Sequence, residues 1–143
     1  MPENKPQSFA NHARYDPIFH FFMAPLALFL LIWSVAHAFR HFSNEALAWV
    51  VAAILIFLAL FKARTYALKV QDRVIRLEER LRLTNLLPSG APLPVLTEGQ
   101  IIALRFASDA ECLSLAEKAA ASNLTPKQIK QAIQSWRADF FRV

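Results

Sequence analysis

Two apolar blocks dominate the chain between Ile18 and Phe61, where the sequence reads IFHFFMAPLALFLLIWSVAHAFRHFSNEALAWVVAAILIFLALF. A short polar turn separates the blocks. A bilayer core about 30 Å thick needs roughly 20 apolar helical residues, because backbone polar groups inside it must be satisfied within the helix. The sequence therefore predicts two transmembrane helices, at 17–39 and 46–66, joined by an antiparallel turn at 40–45.

The charge distribution predicts the orientation of these spans. The chain has 143 residues and a formal net charge of +5. Seven basic and three acidic residues lie between Lys62 and Arg82, directly after the second apolar block. The positive-inside rule assigns such a cluster to the cytoplasm. We therefore expect a multi-pass protein of the cell (inner) membrane, with the lipid bilayer as its surroundings and both termini in the cytoplasm.

The first span has a clear start signal. Asp16 supplies an N-cap acceptor and Pro17 suits the first helical position, while Pro25 predicts a kink. A rival interpretation is a secretory signal peptide, because Ala36-His37-Ala38 has the small-x-small form of a cleavage site. The apolar stretch is longer than a usual signal core, which favours a retained span.

Alanines recur along one face of the second predicted span. In lipid, small side chains let helix backbones approach closely, so this face suits packing against the first span or against a second copy. The predicted helix-packing residues are Ala48, Ala52, Ala59 and Ala63.

No helix breaker follows the second span until Leu87, so we predict that it continues as an amphipathic cytoplasmic helix over 67–87. Three interpretations of this helix are open: a self-associating coiled coil, a helix on anionic lipid, and a helix covered by the rest of the chain. The last two together are favoured. The four-three-four spacing of a coiled-coil seam is found at Val70, Val74, Leu77 and Leu81.

A proline-rich linker at 88–96 leads into a C-terminal helical module at 97–143. Capping-box patterns begin at Thr97, Ser108 and Thr125. They predict helices near 98–106, 109–121 and 126–138. The predicted fold class is thus an all-α membrane protein: a cytoplasmic N-terminal tail at 1–16, a transmembrane hairpin whose second helix extends into the cytoplasm, and a small three-helix C-terminal module.

Four stretches of the chain carry a resemblance to a known family. Together they resemble a bacterial family of small two-span membrane proteins that is known only as a domain of unknown function. The resemblance supports the two-span architecture and implies no activity, cofactor or catalytic residue. The stretches are Asn11 to Pro17 with Phe19 to Phe22, Arg73 to Arg82, Ala103 to Asp109, and Leu124 to Lys130 leading to Trp136.

Histidines are the candidates for binding a metal or cofactor. His37 and His41 share a helix face, with Glu45 close by in the turn, and two imidazoles with a carboxylate suit zinc or copper. His20, near the other end of the first span, is a candidate haem ligand or quinone contact. The competing interpretation of His20 is a hydrogen bond to the second helix. No cofactor is predicted.

The last two predicted helices resemble a helix-turn-helix, which would make the chain a membrane-tethered DNA-binding regulator. Charge argues against a nucleic-acid partner, because six basic residues are balanced by five acidic ones from Thr97 onward. No catalytic motif is recognisable, so we do not predict an enzyme.

The leading hypothesis is a non-enzymatic interaction or scaffold protein. It would present its cytoplasmic helical module to a second copy, as a homo-oligomer, or to another protein. The apolar face of the last helix motivates this hypothesis, because that face has to be buried by something. Its residues Ile129, Ile133 and Trp136 are the predicted interaction face.

Overall fold

A computed structural model describes residues 6–12 and 15–139, and this part of the chain is helical. It contains no β-strand, although Ala107 and Trp136 form an isolated antiparallel bridge. The all-α prediction is confirmed. The elements are a π-helical turn at Phe19–Met23, followed by α1 (Ala24–Arg40), α2 (Asn44–Leu86), α3 (Glu98–Leu104), α4 (Asp109–Ala121) and α5 (Pro126–Ala132).

The chain is divided into two compact units. One unit consists of residues 15–69, and the other contains the described residues 6–12 and 70–139. α2 contributes to both, and it is unbroken from Asn44 to Leu86 as predicted. The N-terminal segment 6–12 belongs to the same unit as the C-terminal helices, which the sequence did not indicate.

The 15–69 unit carries the apolar blocks. Two helices in the described chain are long and apolar enough to cross a membrane: Phe19–Arg40, with a mean hydropathy of 2.0, and Asn44–Leu86, with 2.5 in its apolar part. Only 17% and 11% of these apolar stretches are buried within the chain. A core helix of a soluble protein would be buried on most of its surface. Most apolar side chains of both helices thus face outward.

Less exposed residues mark one packing face on each of these helices. They recur every three or four residues, the spacing that interlocks two helices side by side. Alanine and serine at the buried positions allow a close approach. The faces are Ala24, Ala27, Leu31, Ser34 and Ala38 on α1, and Ala46, Val50, Ala53, Phe57 and Leu60 on α2.

The start of the first apolar helix forms as predicted. Asp16 Oδ1 accepts hydrogen bonds from the backbone N–H groups of Ile18 (3.1 Å) and Phe19 (3.2 Å). The other carboxylate oxygen lies 3.7 Å from Arg64 on α2. Proline at position 25 has no N–H to donate to the preceding turn, and the π-helical turn lies immediately before it. The π-helical turn ends two residues before this proline, and the kink itself stays a prediction.

The core of the 6–12 and 70–139 unit is built by α3, α4 and α5 around the end of α2. The predicted capping boxes at Thr97, Ser108 and Thr125 are all present. Each box begins a helix whose apolar face points inward. The buried core residues are Leu83, Ala103, Leu104, Phe106, Ala107, Cys112, Leu115, Ala116, Ala119, Ile129 and Ile133.

One buried polar side chain connects three segments of this core. Gln100 Nε2 donates to the carbonyls of Ala119 (3.2 Å) and Leu124 (2.9 Å), and its Oε1 accepts from the Thr97 N–H (2.8 Å). Without the Gln100 side chain, these two carbonyls and this N–H group would lose a hydrogen-bond partner in a region shielded from water. Gln100 therefore joins the start of α3 to the end of α4.

The last helix is shorter than predicted. The pattern at 126–138 predicted one helix, but α5 ends at Ala132. The reason is a set of longer-range bonds: the Glu111 carboxylate accepts from the N–H groups of Gln134 and Ser135, both at 3.0 Å. Two backbone bonds continue the pairing, from Ser108 N–H to the Ser135 carbonyl (3.0 Å) and from Arg137 N–H to the Phe106 carbonyl (2.7 Å).

Candidate functional site

A charged groove of about 840 Å³ lies along α2 in the 6–12 and 70–139 unit. Three arginines and four carboxylates line it, so its charges are nearly balanced. α2 forms one wall, and the residues around the α3–α4 junction and after α5 form the other. The charged lining residues are Glu78, Glu79, Arg82, Arg105, Asp109, Arg137 and Asp139.

Arg82 donates hydrogen bonds to three different residues in this groove. Its Nε donates to Asp109 Oδ1 (2.6 Å), and its NH1 donates to Glu79 Oε2 (3.0 Å). NH2 donates to the Ala107 carbonyl at 2.7 Å. A planar guanidinium suits this role because it presents several donors in fixed directions. Arg82 thus fastens α2 to the α3–α4 junction.

The segment after α5 is held in the groove by two further ion pairs. Glu79, which is 4% exposed, also accepts from Arg137 at 3.3 Å. Arg105, which is 8% exposed, lies 3.1 Å from Asp139 and packs its guanidinium 4.4 Å from the ring centre of Phe106. These groups neutralise one another, which is typical of a structural ion-pair network.

Two groups in this unit have shifted pKa values. Burial opposes the charge on Arg82, but the hydrogen bond that Arg82 donates to Asp109 and the charge of Glu79 outweigh it and raise the pKa of Arg82. Burial raises the pKa of the Cys112 thiol, although the Arg82 charge acts against this shift. Cys112 is fully buried, so its thiol is a packed apolar group rather than a nucleophile.

The N-terminal segment covers the aromatic part of the same unit. His12 lies 5.7 Å from the ring centre of Phe106 and 5.8 Å from that of Trp136. Its Nδ1–H donates to the Phe9 carbonyl (2.8 Å), so Nε2 is the acceptor for the Lys130 ammonium (3.1 Å). The His12 ring therefore connects Phe9 in the N-terminal segment to Lys130 on α5.

A second contact holds the N-terminal segment. The Gln7 side-chain amide donates to the Asp139 carbonyl (3.1 Å) and accepts from the Asp139 N–H (2.9 Å). Two neighbouring β-strands exchange the same pair of hydrogen bonds, but here a side-chain amide replaces the backbone of one strand. Parts of all four stretches that carry the family resemblance thus meet in one unit, represented by His12, Arg82, Phe106 and Trp136.

The candidate metal and cofactor residues lie in the 15–69 unit. The rings of His37 and His41 are 5.3 Å apart. Within residues 6–12 and 15–139, no three His, Cys, Asp or Glu side chains are grouped closely enough to hold a metal ion. The His20 Nδ1–H donates to the Asp16 carbonyl (2.8 Å) in its own helix rather than to the second helix.

The predicted alanine face of α2 is largely exposed within the chain. Ala48, Ala59 and Ala63 are exposed and Ala52 is half-buried. The buried alanines of α2 are instead Ala46 and Ala53. The packing role of the predicted face therefore stays a prediction.

The predicted interaction face of the last helix lies inside the chain. Ile129 and Ile133 are buried in the core, and Trp136 is half-buried against it, with its ring 5.2 Å from Phe106. A partner that used this face would have to displace these internal contacts.

After its apolar block, α2 buries a different face from the one that carries the predicted seam. Ile75, Glu79 and Leu83 are buried, while the seam residues are exposed. The sequence alone did not indicate the role of Glu79 and Arg82 in the groove. Their three-residue spacing permits an ion pair on one helix, but nothing local indicates Arg137 or Asp109 as further partners.

Comparison with known proteins places the chain in a family without assigning it an activity. A model of a family of unknown function, DUF6526, matches residues 3–143. Neither the curated proteins nor the solved structures yield a match. The match covers nearly the whole chain and agrees with the resemblance seen in the sequence. The chain therefore belongs to the DUF6526 family of unknown function.

Proposed function

We propose that this chain is a non-enzymatic membrane protein that presents a cytoplasmic helical module for protein interaction. The observation that carries the proposal is the outward exposure of apolar side chains along both long helices. Phe29 is 64% exposed, Ile32 60% and Leu55 61%. Removing apolar surface from water contributes about 25 cal/mol of free energy per Å². Placing this exposed surface in the apolar core of a bilayer is therefore favourable, whereas leaving it in water is not.

In this proposal the two apolar helices cross the cell membrane as an antiparallel hairpin. Phe19 at the start of the first helix contacts Phe61 in α2, with ring centres 5.7 Å apart, which supports such a return. The basic residues after Phe61 favour a cytoplasmic position for both termini. The ring of Tyr66 and the ammonium of Lys62, 5.9 Å apart, suit the interface at that side.

The non-enzymatic part of the proposal rests on the charged groove. Its three arginines pair with three of its carboxylates, those of Glu79, Asp109 and Asp139, and these ion pairs join three segments of the chain. Such pairing is typical of a structural ion-pair network. In an active site, by contrast, the surroundings usually push the pKa values of the catalytic acid and the catalytic base apart. The shortness of α5, with seven residues, also disfavours the alternative of a DNA-recognition helix.

Cysteine accessibility tests the topology. In a Cys112→Ala background, Phe42→Cys and Ser89→Cys place single thiols in the turn between α1 and α2 and in the linker after α2. We expect a membrane-impermeant maleimide to label residue 42 in intact bacterial cells, and residue 89 only after the membrane is disrupted. The opposite pattern would reverse the orientation. Release of the protein by alkaline carbonate would overturn the membrane assignment itself.

A further inference from the structure

The α2 segment in the 70–139 unit has one face that its own unit leaves uncovered. Ile75, Glu79 and Leu83 lie on the covered face. The opposite face is apolar and exposed, with exposed fractions of 61% for Val70, 49% for Val74, 70% for Leu77 and 61% for Leu81. We call these four residues the α2 seam.

The spacing of the α2 seam defines a heptad register. Steps of four, three and four place Val70 and Leu77 at d positions and Val74 and Leu81 at a positions. A β-branched residue at a followed by leucine at d, as at Val74 and Leu77, favours a two-stranded parallel coiled coil. The covered face then corresponds to positions b, c and f, so folding of the unit leaves the seam accessible.

Two exposed charges flank the seam in complementary positions. In this register Arg73 is at g and Glu78 is at e, and both are exposed. In a parallel coiled coil, a g side chain faces the e side chain five residues later on the other helix. Arg73 would therefore face the partner's Glu78, and the twofold symmetry would form this pair twice. An antiparallel pair would instead bring Arg73 and Arg80 together at g positions.

We propose that the α2 seam pairs with the α2 seam of a second copy as a parallel coiled coil. This inference rests on the proposed function, because two copies inserted in one membrane in the same orientation have parallel α2 helices. The competing occupant is an anionic membrane surface, which attracts Arg73 but repels Glu78. Glu78→Arg alone therefore separates the two occupants, because it weakens pairing with a second copy and strengthens attraction to an anionic membrane.

Disulfide cross-linking of the full chain in membranes tests the pairing. In a Cys112→Ala background, Leu77→Cys places a thiol at a central d position. In the proposed dimer this thiol faces the thiol at position 77 of the second copy. Asp72→Cys, at f on the covered side, is the matched control. We expect a mild oxidant to give a cross-linked dimer with Leu77→Cys and not with Asp72→Cys. Equal cross-linking of both, or of neither, would overturn the proposal.

Charge exchange in the Leu77→Cys protein provides the second test. Arg73→Glu and Glu78→Arg each make both flanking pairs repulsive, and we expect about a tenfold fall in the dimerisation constant. The double variant R73E/E78R should restore dimerisation, and the two single variants, expressed together, should cross-link with each other. No effect of the single exchanges, or no recovery in the double variant, would contradict a paired seam.

The same membranes distinguish this inference from the proposed function. If the protein resists carbonate extraction but does not cross-link, only the paired seam is wrong. If Glu78→Arg instead increases protection of the 70–84 segment by anionic lipid vesicles without forming a dimer, the membrane surface covers the seam. If the protein leaves the membrane fraction, the proposed function fails first.

Discussion

The Glu79 carboxylate on α2 accepts a hydrogen bond at 3.3 Å from Arg137, which lies 58 residues further along the chain. Glu79 also accepts from Arg82 at 3.0 Å and is nearly completely buried. A buried carboxylate is stable only when it is paired, so these two arginines and Glu79 depend on each other. Together they hold the segment after α5 against α2.

Glu79→Gln should destabilise the unit by about 2 kcal/mol, because it removes the buried one of the two carboxylate charges that pair with Arg82. The contribution of Arg137 is smaller, since its side chain is 54% exposed and its charge is screened by solvent. Hydrogen exchange of α4 and α5 amides in detergent measures the change. The matched control is Glu117→Gln, an exposed site on α4, which should leave exchange unchanged. Equal protection in both variants would contradict a stabilising role for Glu79.

Gln100→Leu should cost about 2–3 kcal/mol, although leucine is close in size to glutamine. The change removes the partner of the Ala119 and Leu124 carbonyls and of the Thr97 N–H in a buried site. Faster exchange across α3 and α5 would report the loss. Gln131→Leu, an exposed site on α5, is the control and should shift exchange little. If both variants behave alike, Gln100 does not connect the helices as described.

Cys112 should react slowly with maleimide in the folded protein and completely in denaturant. Its thiol is buried and its pKa is raised, so little thiolate is present near neutral pH. Ser114→Cys, exposed on the same helix, supplies a rapidly labelled reference. Comparable labelling rates at positions 112 and 114 at pH 7.5 would show that α4 opens readily.

The same pKa shift gives an alkaline limit to stability. Because the folded state holds the Cys112 proton more tightly than the unfolded state, the favourable contribution is complete below the unfolded thiol pKa of about 8.5 and decreases as the pH rises above it. Cys112→Ala should flatten this decrease in a denaturation series between neutral and alkaline pH. An identical pH dependence in the variant would exclude Cys112 as its source.

Asp16 caps the first helix and also forms an ion pair with Arg64. Two substitutions separate the contributions of the cap and of the ion pair to stability. Asp16→Asn keeps an acceptor for the N–H groups of Ile18 and Phe19 but loses the charge opposite Arg64, so we expect a small effect at this partly exposed site. Asp16→Ala removes both and should cost about 1 kcal/mol. Hydrogen exchange of the first helical turn in detergent distinguishes them. Equal losses in both variants would assign the effect to the ion pair.

The local signals in the sequence were reliable. Asp16 and the boxes that start at Thr97, Ser108 and Thr125 form the caps expected of them. A cap depends on a side chain and backbone N–H groups within three residues, so the sequence contains all that is needed. The two long apolar helices follow from composition in the same way.

The choice of helix face was less predictable. The periodicity of α2 identifies Val70 and Leu77 as one apolar row, but Ile75 and Leu83 form another that the unit covers. Similarly, Ala46 and Ala53 rather than the predicted alanine row are buried. A helix can present several usable faces, and periodicity alone does not identify the surface that packs on each one.

Hydropathy, charge and capping patterns specify where the helices lie and which of them are apolar enough for a membrane, because these properties depend on neighbouring residues. The end of α5 at Ala132, the inward position of Glu79 and the docking of His12 on Phe106 depend on contacts between residues far apart in the chain. Those contacts override the local preference for helix, because their hydrogen bonds and the burial of their side chains stabilise the folded unit more. They form only when the unit is folded.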